Sequence, residues 1–455
     1  MLYTLLKYII GTALKVYFKN IHVRNVELLP KDKPLIIVPN HPSAFMDPLI
    51  VASLIKPHLH FLAKGGSFKN PIARWIFGRL NMIPIFRPHE SPKQMHKNKE
   101  VFQKAFNLLR ENGSIIIFPE GISITERKLR KLKTGAARIA LGAEADNNYN
   151  LDVKIIPVGI NYSNPHRFQS EVFINFSKPI EVSEYLEEYR NDERAAVESL
   201  TEEIRARLEE HIIAIENEDL DSMVASIEII YKQDLKEEVG IKKGEQDRDF
   251  QVTKDIIDAI HRINERDPIR VELVREKIED YMNNLERLHL QDHVLKQGSK
   301  NQSIITDAIA VVFKFILGLP FFLFGVINNY LPFKIPEFFA RMALPHFYGA
   351  IAMSTGIITF SLFYSLQIWA VINYVDLGYD PIISGIIYGI LLPITGMFSI
   401  YYWRRLIRDR EKWRFISLFY RKTGLISRLI LQREEIIEEL EKAKDEYLES
   451  IKIPN

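Results

Sequence analysis

Between Arg341 and Arg404 the chain has no lysine or arginine, and its only acids there are Asp376 and Asp380. A run of that length with so little charge must be buried, in protein or in lipid. Within it, residues 348–375 and 381–403 are each long enough, as helices, to cross ~30 Å of hydrocarbon. A further apolar segment, 303–333, is interrupted by Lys314 and Pro320. Directly after the last apolar run come Arg404, Arg405, Arg408, Arg410, Lys412 and Arg414, the positive flank that marks a cytoplasmic side. The region from Glu184 to Lys300 is instead crowded with both signs of charge. The sequence predicts a membrane protein with a large water-soluble part.

Of the 455 residues, 47% are apolar and 26% charged, enough apolar matter for a real core. Sixty lysines and arginines against 58 acids leave a net charge of +2, so nucleic acid is not an expected partner and any anion site must be a local patch. Cysteine is absent, which removes disulfides, thiolate metal sites and cysteine nucleophiles. Residues 1–20 are apolar with Lys7, Lys15 and Lys19 interspersed, and Leu2, Leu5, Leu6, Ile9, Ile10, Ala13 and Val16 share one helical face. Lys7 falls in the middle of what would be a span, so the prediction is a helix lying in the membrane interface. Ile21-His22-Val23 continues into strand-like sequence without a small-residue cleavage site, which disfavours a signal peptide.

From residue 34 to 183, short apolar runs (35–38, 60–63, 82–86, 114–118, 153–160 and 172–176) alternate with helix-patterned segments such as 98–112 and 135–145. That alternation predicts an α/β layer around a sheet buried on both faces, whose site collects where several strands end. His41, Lys64, Arg87 and Glu120 each follow an apolar run, so one pocket can hold them. Residues 184–300 read as a mostly helical region in which Val197, Leu200, Ile204 and Leu208 form one stripe and Ile256, Ile260 and Ile263 another. Asp267-Pro268 breaks the second stretch, and the region is expected to be a helical cap or spacer without chemistry. The tail, 404–455, is basic and then amphipathic.

The segment Asn40-His41-Pro42-Ser43-Ala44-Phe45-Met46-Asp47-Pro48 puts an imidazole and a carboxylate a short loop apart just after a buried run. Neutral histidine can take a proton from a hydroxyl as its oxygen attacks a carbonyl. Asp47 would fix the tautomer and offset the imidazolium charge, as the carboxylate does in a serine protease triad. Positions six apart do not share a helical face, so a turn must intervene; Pro48 suits a first helical turn, which makes Asp47 a candidate N-cap. An N-cap is also the bland reading of Asp47. Ser43 reads as a loop residue rather than a nucleophile, and His58 and His60 as structural, with no metal-ligand spacing. Arg87 ends a strand with a forked donor suited to phosphate. In Phe118-Pro119-Glu120-Gly121, Pro119 ends a strand and Gly121 allows close backbone approach. Arg127, Lys128, Arg130, Lys131 and Lys133 could hold phosphate, face anionic lipid or an acidic carrier protein, or simply be solvated.

These four segments, 40–48, 81–87, 118–121 and 155–159, resemble in order and separation the motifs of the glycerol-phosphate and lysophospholipid acyltransferases, over roughly residues 21–183. The resemblance implies a mixed sheet flanked by helices, with His41 and Asp47 catalytic and Arg87, Phe118, Pro119, Glu120, Gly121 and Lys133 holding a phosphorylated acceptor. Lys133-Thr134-Gly135 matches a family Lys-x-Gly, and Pro157 falls in a motif that in relatives lines the acyl channel; a proline at a strand edge or bulge is the structural alternative. Two departures stand out. Five residues, not the usual four, separate His41 from Asp47, as in a minority branch of glycerol-3-phosphate or dihydroxyacetone-phosphate acyltransferases that includes fungal members with C-terminal membrane segments. Ile122-Ser123-Ile124 replaces the usual Thr-Arg-Ser.

The expectation is a membrane-bound enzyme that moves a fatty acyl group from acyl-CoA or acyl carrier protein to the sn-1 hydroxyl of glycerol 3-phosphate or dihydroxyacetone phosphate, in phospholipid synthesis. The alternatives are a lysophosphatidate acyltransferase and an inactive lipid-binding scaffold. A thioester is already activated, so no metal or organic cofactor is implied. Such substrates place the site at the cytoplasmic face of the cell membrane. With the basic tail on that side as well, the crossings must be even in number: 348–375 and 381–403 as a hairpin, and 303–333 entering the membrane without crossing it. The alternative is a third span paired with a spanning first helix.

Overall fold

The computed structural model describes residues 2–56, 58–87, 92–215, 218–241, 246–298, 304–376, 378–421 and 423–452. They fall into two compact units, Met1–Ala214 with Pro336–Ile357, and Ile215–Ile335 with Ile358–Asn455.

The first unit carries a sheet of eight strands: β1 (Asn20–Arg24), β2 (Leu35–Pro39), β3 (Leu59–Lys64), β4 (Met82–Ile85), β5 (Ser114–Ile116), β6 (Lys154–Tyr162), β7 (Glu171–Phe176) and β8 (Ile180–Glu181). Their order is β1-β7-β6-β2-β5-β3-β4, with β8 beside β6. The strands from β6 through β2, β5 and β3 to β4 run parallel, as β1 does to β7, while β7 and β8 run antiparallel to β6. This is a mixed sheet.

Among the described residues, seven α-helices lie wholly within this unit: α1 (Leu2–Tyr17), α2 (Met46–Leu54), α3 (Pro71–Arg79), α4 (Asn98–Arg110), α5 (Gly135–Asp146), α6 (Leu186–Asn191) and α7 (Glu193–His211). Successive side chains of a strand point to opposite faces, and here both faces are covered. Ile36, Val38, Ile115 and Ile155 join one apolar cluster with α4, α5 and α7. Leu35, Ile37, Ile116 and Ile156 join another with α1 and α2. Burial on both sides is why these strands read as unbroken apolar runs. The stripe Leu200, Ile204 and Leu208 is buried in the first cluster, so α7 belongs to the α/β unit, and the boundary expected at 183/184 falls instead at Ala214. Val197 packs at the edge of that cluster.

The second unit is helical: α8 (Glu218–Ile230), α9 (Lys232–Glu238), α10 (Gln246–Arg266), α11 (Pro268–Leu288) and α12 (Asp292–Gly298), most of α13 (Ile304–Arg341) and α14 (Tyr348–Tyr374), then α15 (Pro381–Arg421) and α16 (Thr423–Lys452). Asp267 does break the helical stretch, capping α11 through Arg270 N–H at 3.0 Å. Asp292 is buried and accepts from Tyr281 (2.7 Å) and Arg433 (2.8 Å), tying α11, α12 and α16 together.

Among the described residues, three helices are long and apolar enough to cross a membrane, by length and composition: Phe315–Arg341, Pro345–Tyr374 and Pro381–Phe415. Where the sequence suggested a broken segment over 303–333, α13 runs continuously from Ile304 through Lys314 and Pro320; residue 303 lies outside the described residues. Proline is tolerated in apolar helices when neighbours satisfy the freed backbone groups. Asn329 on α13 is buried, donates to the Leu392 carbonyl of α15 at 3.2 Å and accepts from Tyr364 of α14 at 2.5 Å. Asn328 accepts from Tyr388 of α15 at 2.6 Å. Such polar contacts hold apolar helices together where burial alone gives no preference for protein over lipid.

Candidate active site

Strand β2 ends at Pro39, and the next residue fastens the loop. Asn40 Oδ1 accepts the Ile160 N–H at 2.7 Å and its Nδ2 donates to the Ile160 carbonyl at 3.0 Å, clamping the end of β2 to β6. His41 follows, stacked on Phe118 with ring centroids 3.9 Å apart. Its Nδ1 lies 2.8 Å from Asp47 Oδ2. Asp47 is wholly buried in the first turn of α2, whose N-cap position is Phe45; Asp47 is therefore not the N-cap that Pro48 suggested. Instead its carboxylate turns back to accept the Ser43 N–H at 2.8 Å and the Tyr162 hydroxyl at 2.7 Å. A buried charge needs this set of donors.

Tyr162 is the residue that sequence reasoning missed. Burial first, then the adjacent Asp47 carboxylate, push its phenol well above the ordinary value, so it remains a donor. No motif points to it; the available signal is that β6 is parallel to β2 and its last residue arrives beside the loop that β2 feeds.

Glu120 is buried and turned inward. One oxygen accepts the His41 N–H at 2.8 Å and the other the Arg130 N–H at 3.4 Å. Burial raises its carboxyl above the ordinary range, the two N–H groups opposing that shift. The side chain fastens the histidine loop to the basic loop, while the acceptor-holding role implied by resemblance finds both oxygens already engaged by protein. The rest of the segment shapes the turn: β5 closes at Ile116, Gly121 takes φ +74°, a left-handed conformation suited to glycine, and the Pro119 carbonyl accepts the Lys133 N–H at 2.7 Å. A Cβ on Gly121 would lie 3.7 Å from Lys133 Cγ, so the exposed Lys133 and Gly121 are neighbours. In place of the usual Thr-Arg-Ser, Ser123 Oγ accepts the Ala44 N–H at 2.6 Å and Thr125 donates to the Pro42 carbonyl at 3.0 Å; both fasten the histidine loop.

Lys64 ends β3, and Arg87, half-buried, follows β4 by two residues. With the order β2-β5-β3-β4, Arg87 leaves the sheet three strands from His41, roughly 14 Å along the edge at the usual strand spacing. The groups thus line an edge rather than crowd one point. Pro157 is buried in β6 where its outer partner changes from β8 (at Ile155) to β7 (from Val158). Its missing N–H therefore breaks no ladder bond on that side, which accounts for it structurally.

With this geometry in view, residues 20–161 match the family model described as Acyltransferase. The chain carries an acyltransferase domain. The glycerol-3-phosphate O-acyltransferase 1 of Saccharomyces cerevisiae is 36% identical over 134 residues, 29% of this chain and 18% of the yeast protein. A probable 1-acyl-sn-glycerol-3-phosphate acyltransferase of Mycoplasma pneumoniae is 30% identical over 162 residues, 34% of this chain and 54% of that protein. The likeness thus spans a small part of the yeast relative's length and about half of the Mycoplasma one. A solved 1-acyl-sn-glycerophosphate acyltransferase from Thermotoga maritima overlaps 44% of this chain and 80% of its own at 23% identity, with a TM-score of 0.30, too loose a superposition to bear on the fold. The acyltransferase domain ends well before the three apolar helices begin.

Proposed function

We propose that this protein is a membrane-bound O-acyltransferase of glycerolipid synthesis, which moves a fatty acyl group from a thioester to the sn-1 hydroxyl of glycerol 3-phosphate or dihydroxyacetone phosphate. The observation that carries the reading is the 2.8 Å contact of His41 Nδ1 with a wholly buried, doubly donated Asp47 carboxylate. Asp47 commits Nδ1 to carrying the proton and leaves Nε2 as the base. Nε2 takes the hydroxyl proton as that oxygen attacks the thioester carbonyl. The tetrahedral adduct collapses, the carbon–sulfur bond breaks, and the imidazolium returns the proton to the leaving thiolate. The acceptor's phosphate is assigned to Arg87, which follows β4, and Lys133, which neighbours Gly121; Glu120 is assigned to positioning.

The yeast relative named for glycerol 3-phosphate favours that acceptor, and the Mycoplasma relative named for 1-acyl-sn-glycerol-3-phosphate supports lysophosphatidate as the second reading. Donors of either kind, acyl-CoA or acyl carrier protein, are cytoplasmic, so the domain is assigned to the cytoplasmic face of the cell membrane. The purified protein is expected to convert glycerol 3-phosphate faster than lysophosphatidate when each is offered with a labelled acyl thioester. His41→Ala is expected to lower kcat by roughly 10²–10⁴-fold. Undiminished transfer by the alanine variant removes His41 as the base, and product from lysophosphatidate alone transfers the assignment to the second acceptor.

A further inference from the structure

The loop between His41 and Asp47 is one residue longer than the usual pattern, and nothing in the proton transfer requires the addition. Within it, Ala44 is left-handed at φ +30° and is held by its N–H donating to Ser123. The next side chain, Phe45, is turned outward and is 50% exposed. Its ring lies 5.6 Å from that of Phe347 at 36°. Phe347 lies far outside residues 20–161, in the segment Pro336–Ile357, yet that segment belongs to the same compact unit.

The partner ring is firmly placed. Two residues on, a Cβ at Gly349 would come within 3.2 Å of Met46 Cε, 3.3 Å of the Tyr17 hydroxyl and 3.0 Å of the Pro165 carbonyl, so the glycine lets α14 begin directly against the first residue of α2. Met353, one turn further, is buried in the cluster of Leu14, Tyr17, Met46 and Ile50. The extension thus supplies an apolar ring beside the catalytic loop, and the longer loop supplies the ring that meets it. Phe45 is four residues from His41, at most about 14 Å of extended chain. Both rings stay partly exposed, so core packing does not account for them. With glycerol 3-phosphate or dihydroxyacetone phosphate as acceptor, only the donor has a long apolar part; such an acceptor would lose hydration against this face.

We propose that Phe45 and Phe347 form a subsite for the donor's acyl chain, so that a segment outside the acyltransferase domain contributes to chain-length selection. The inference rests on the acyl-transfer reading above. The test uses the full chain in detergent, native and as Phe347→Ala, Phe347→Leu and Phe45→Ala, with butanoyl, decanoyl and hexadecanoyl thioesters. Phe347→Ala is expected to raise KM for the two long donors about 10-fold, leaving KM for the butanoyl donor and for the acceptor unchanged. Phe347→Leu should fall between it and the native protein. Equal losses with all three donors, or a raised acceptor KM, overturn the subsite while native turnover keeps the reaction standing. Should Phe347→Ala fail to fold, a Phe347→Leu protein that matches the native one with every donor overturns it as well. Native protein that turns over none of the donors removes the reaction and the subsite together.

Discussion

At the scale of single residues, the proposed catalytic pair depends on how a buried charge is satisfied. Asp47 has no water to solvate it and relies on His41, the Ser43 N–H and the Tyr162 hydroxyl. Removing one donor from a buried carboxylate costs about 1–3 kcal/mol, and here that cost falls on the group that fixes the imidazole. Tyr162→Phe is therefore expected to lower kcat about 10-fold with little change in either KM, since a loss of about 1.4 kcal/mol specific to the transition state corresponds to tenfold in rate. Steady-state kinetics on the purified variant decides it. A rise in acceptor KM at constant kcat would place Tyr162 in substrate binding instead.

At the scale of elements, the sheet was legible because its central strands β2, β5 and β6 are buried on both faces and read as continuous apolar runs, while the half-exposed β3 and the edge strand β4 keep shorter apolar runs. β1 carries a polar, half-exposed residue pattern and β8 has two residues, which leaves little periodicity to read. The His41–Asp47 contact was legible from the motif, while the Tyr162 donor to Asp47 and the His41 N–H that Glu120 accepts lie 115 and 79 residues away along the chain, distances that no local pattern encodes. Glu120 shows the consequence. Its type and place suggested a ligand for substrate, but its two backbone partners make it a bolt between loops. Because burial raises its carboxyl above the ordinary 4.5, the fold keeps a proton there that the unfolded chain releases. Its contribution to stability is full below pH 4.5 and is lost as pH rises through the raised value. Glu120→Gln cannot titrate. Urea unfolding in detergent from about pH 4.5 upward is expected to show the native protein losing stability relative to this variant; parallel curves would mean that Glu120 is not shifted.

For the whole molecule the open quantity is parity. Three helices among the described residues have the length and composition to cross, and if all three do while α1 stays in the interface, the acyltransferase domain and the tail end on opposite sides. The arginine-rich stretch after Trp403 predicts a cytoplasmic tail, and the proposed substrates assign the domain to the same side. Two crossings, by α14 and α15, reconcile both, with Asp376 and Asp380 in the outer turn. The native chain contains no cysteine, so single cysteines report position without background. Asp380→Cys is expected to react with a membrane-impermeant maleimide on intact cells, whereas Lys178→Cys, on the exposed surface after β7, and Glu434→Cys, on α16, should react only after permeabilisation. Opposite behaviour of positions 178 and 434 would show an odd number of crossings. In that case α13 spans, and either the basic flank or the cytoplasmic donor has been assigned to the wrong side.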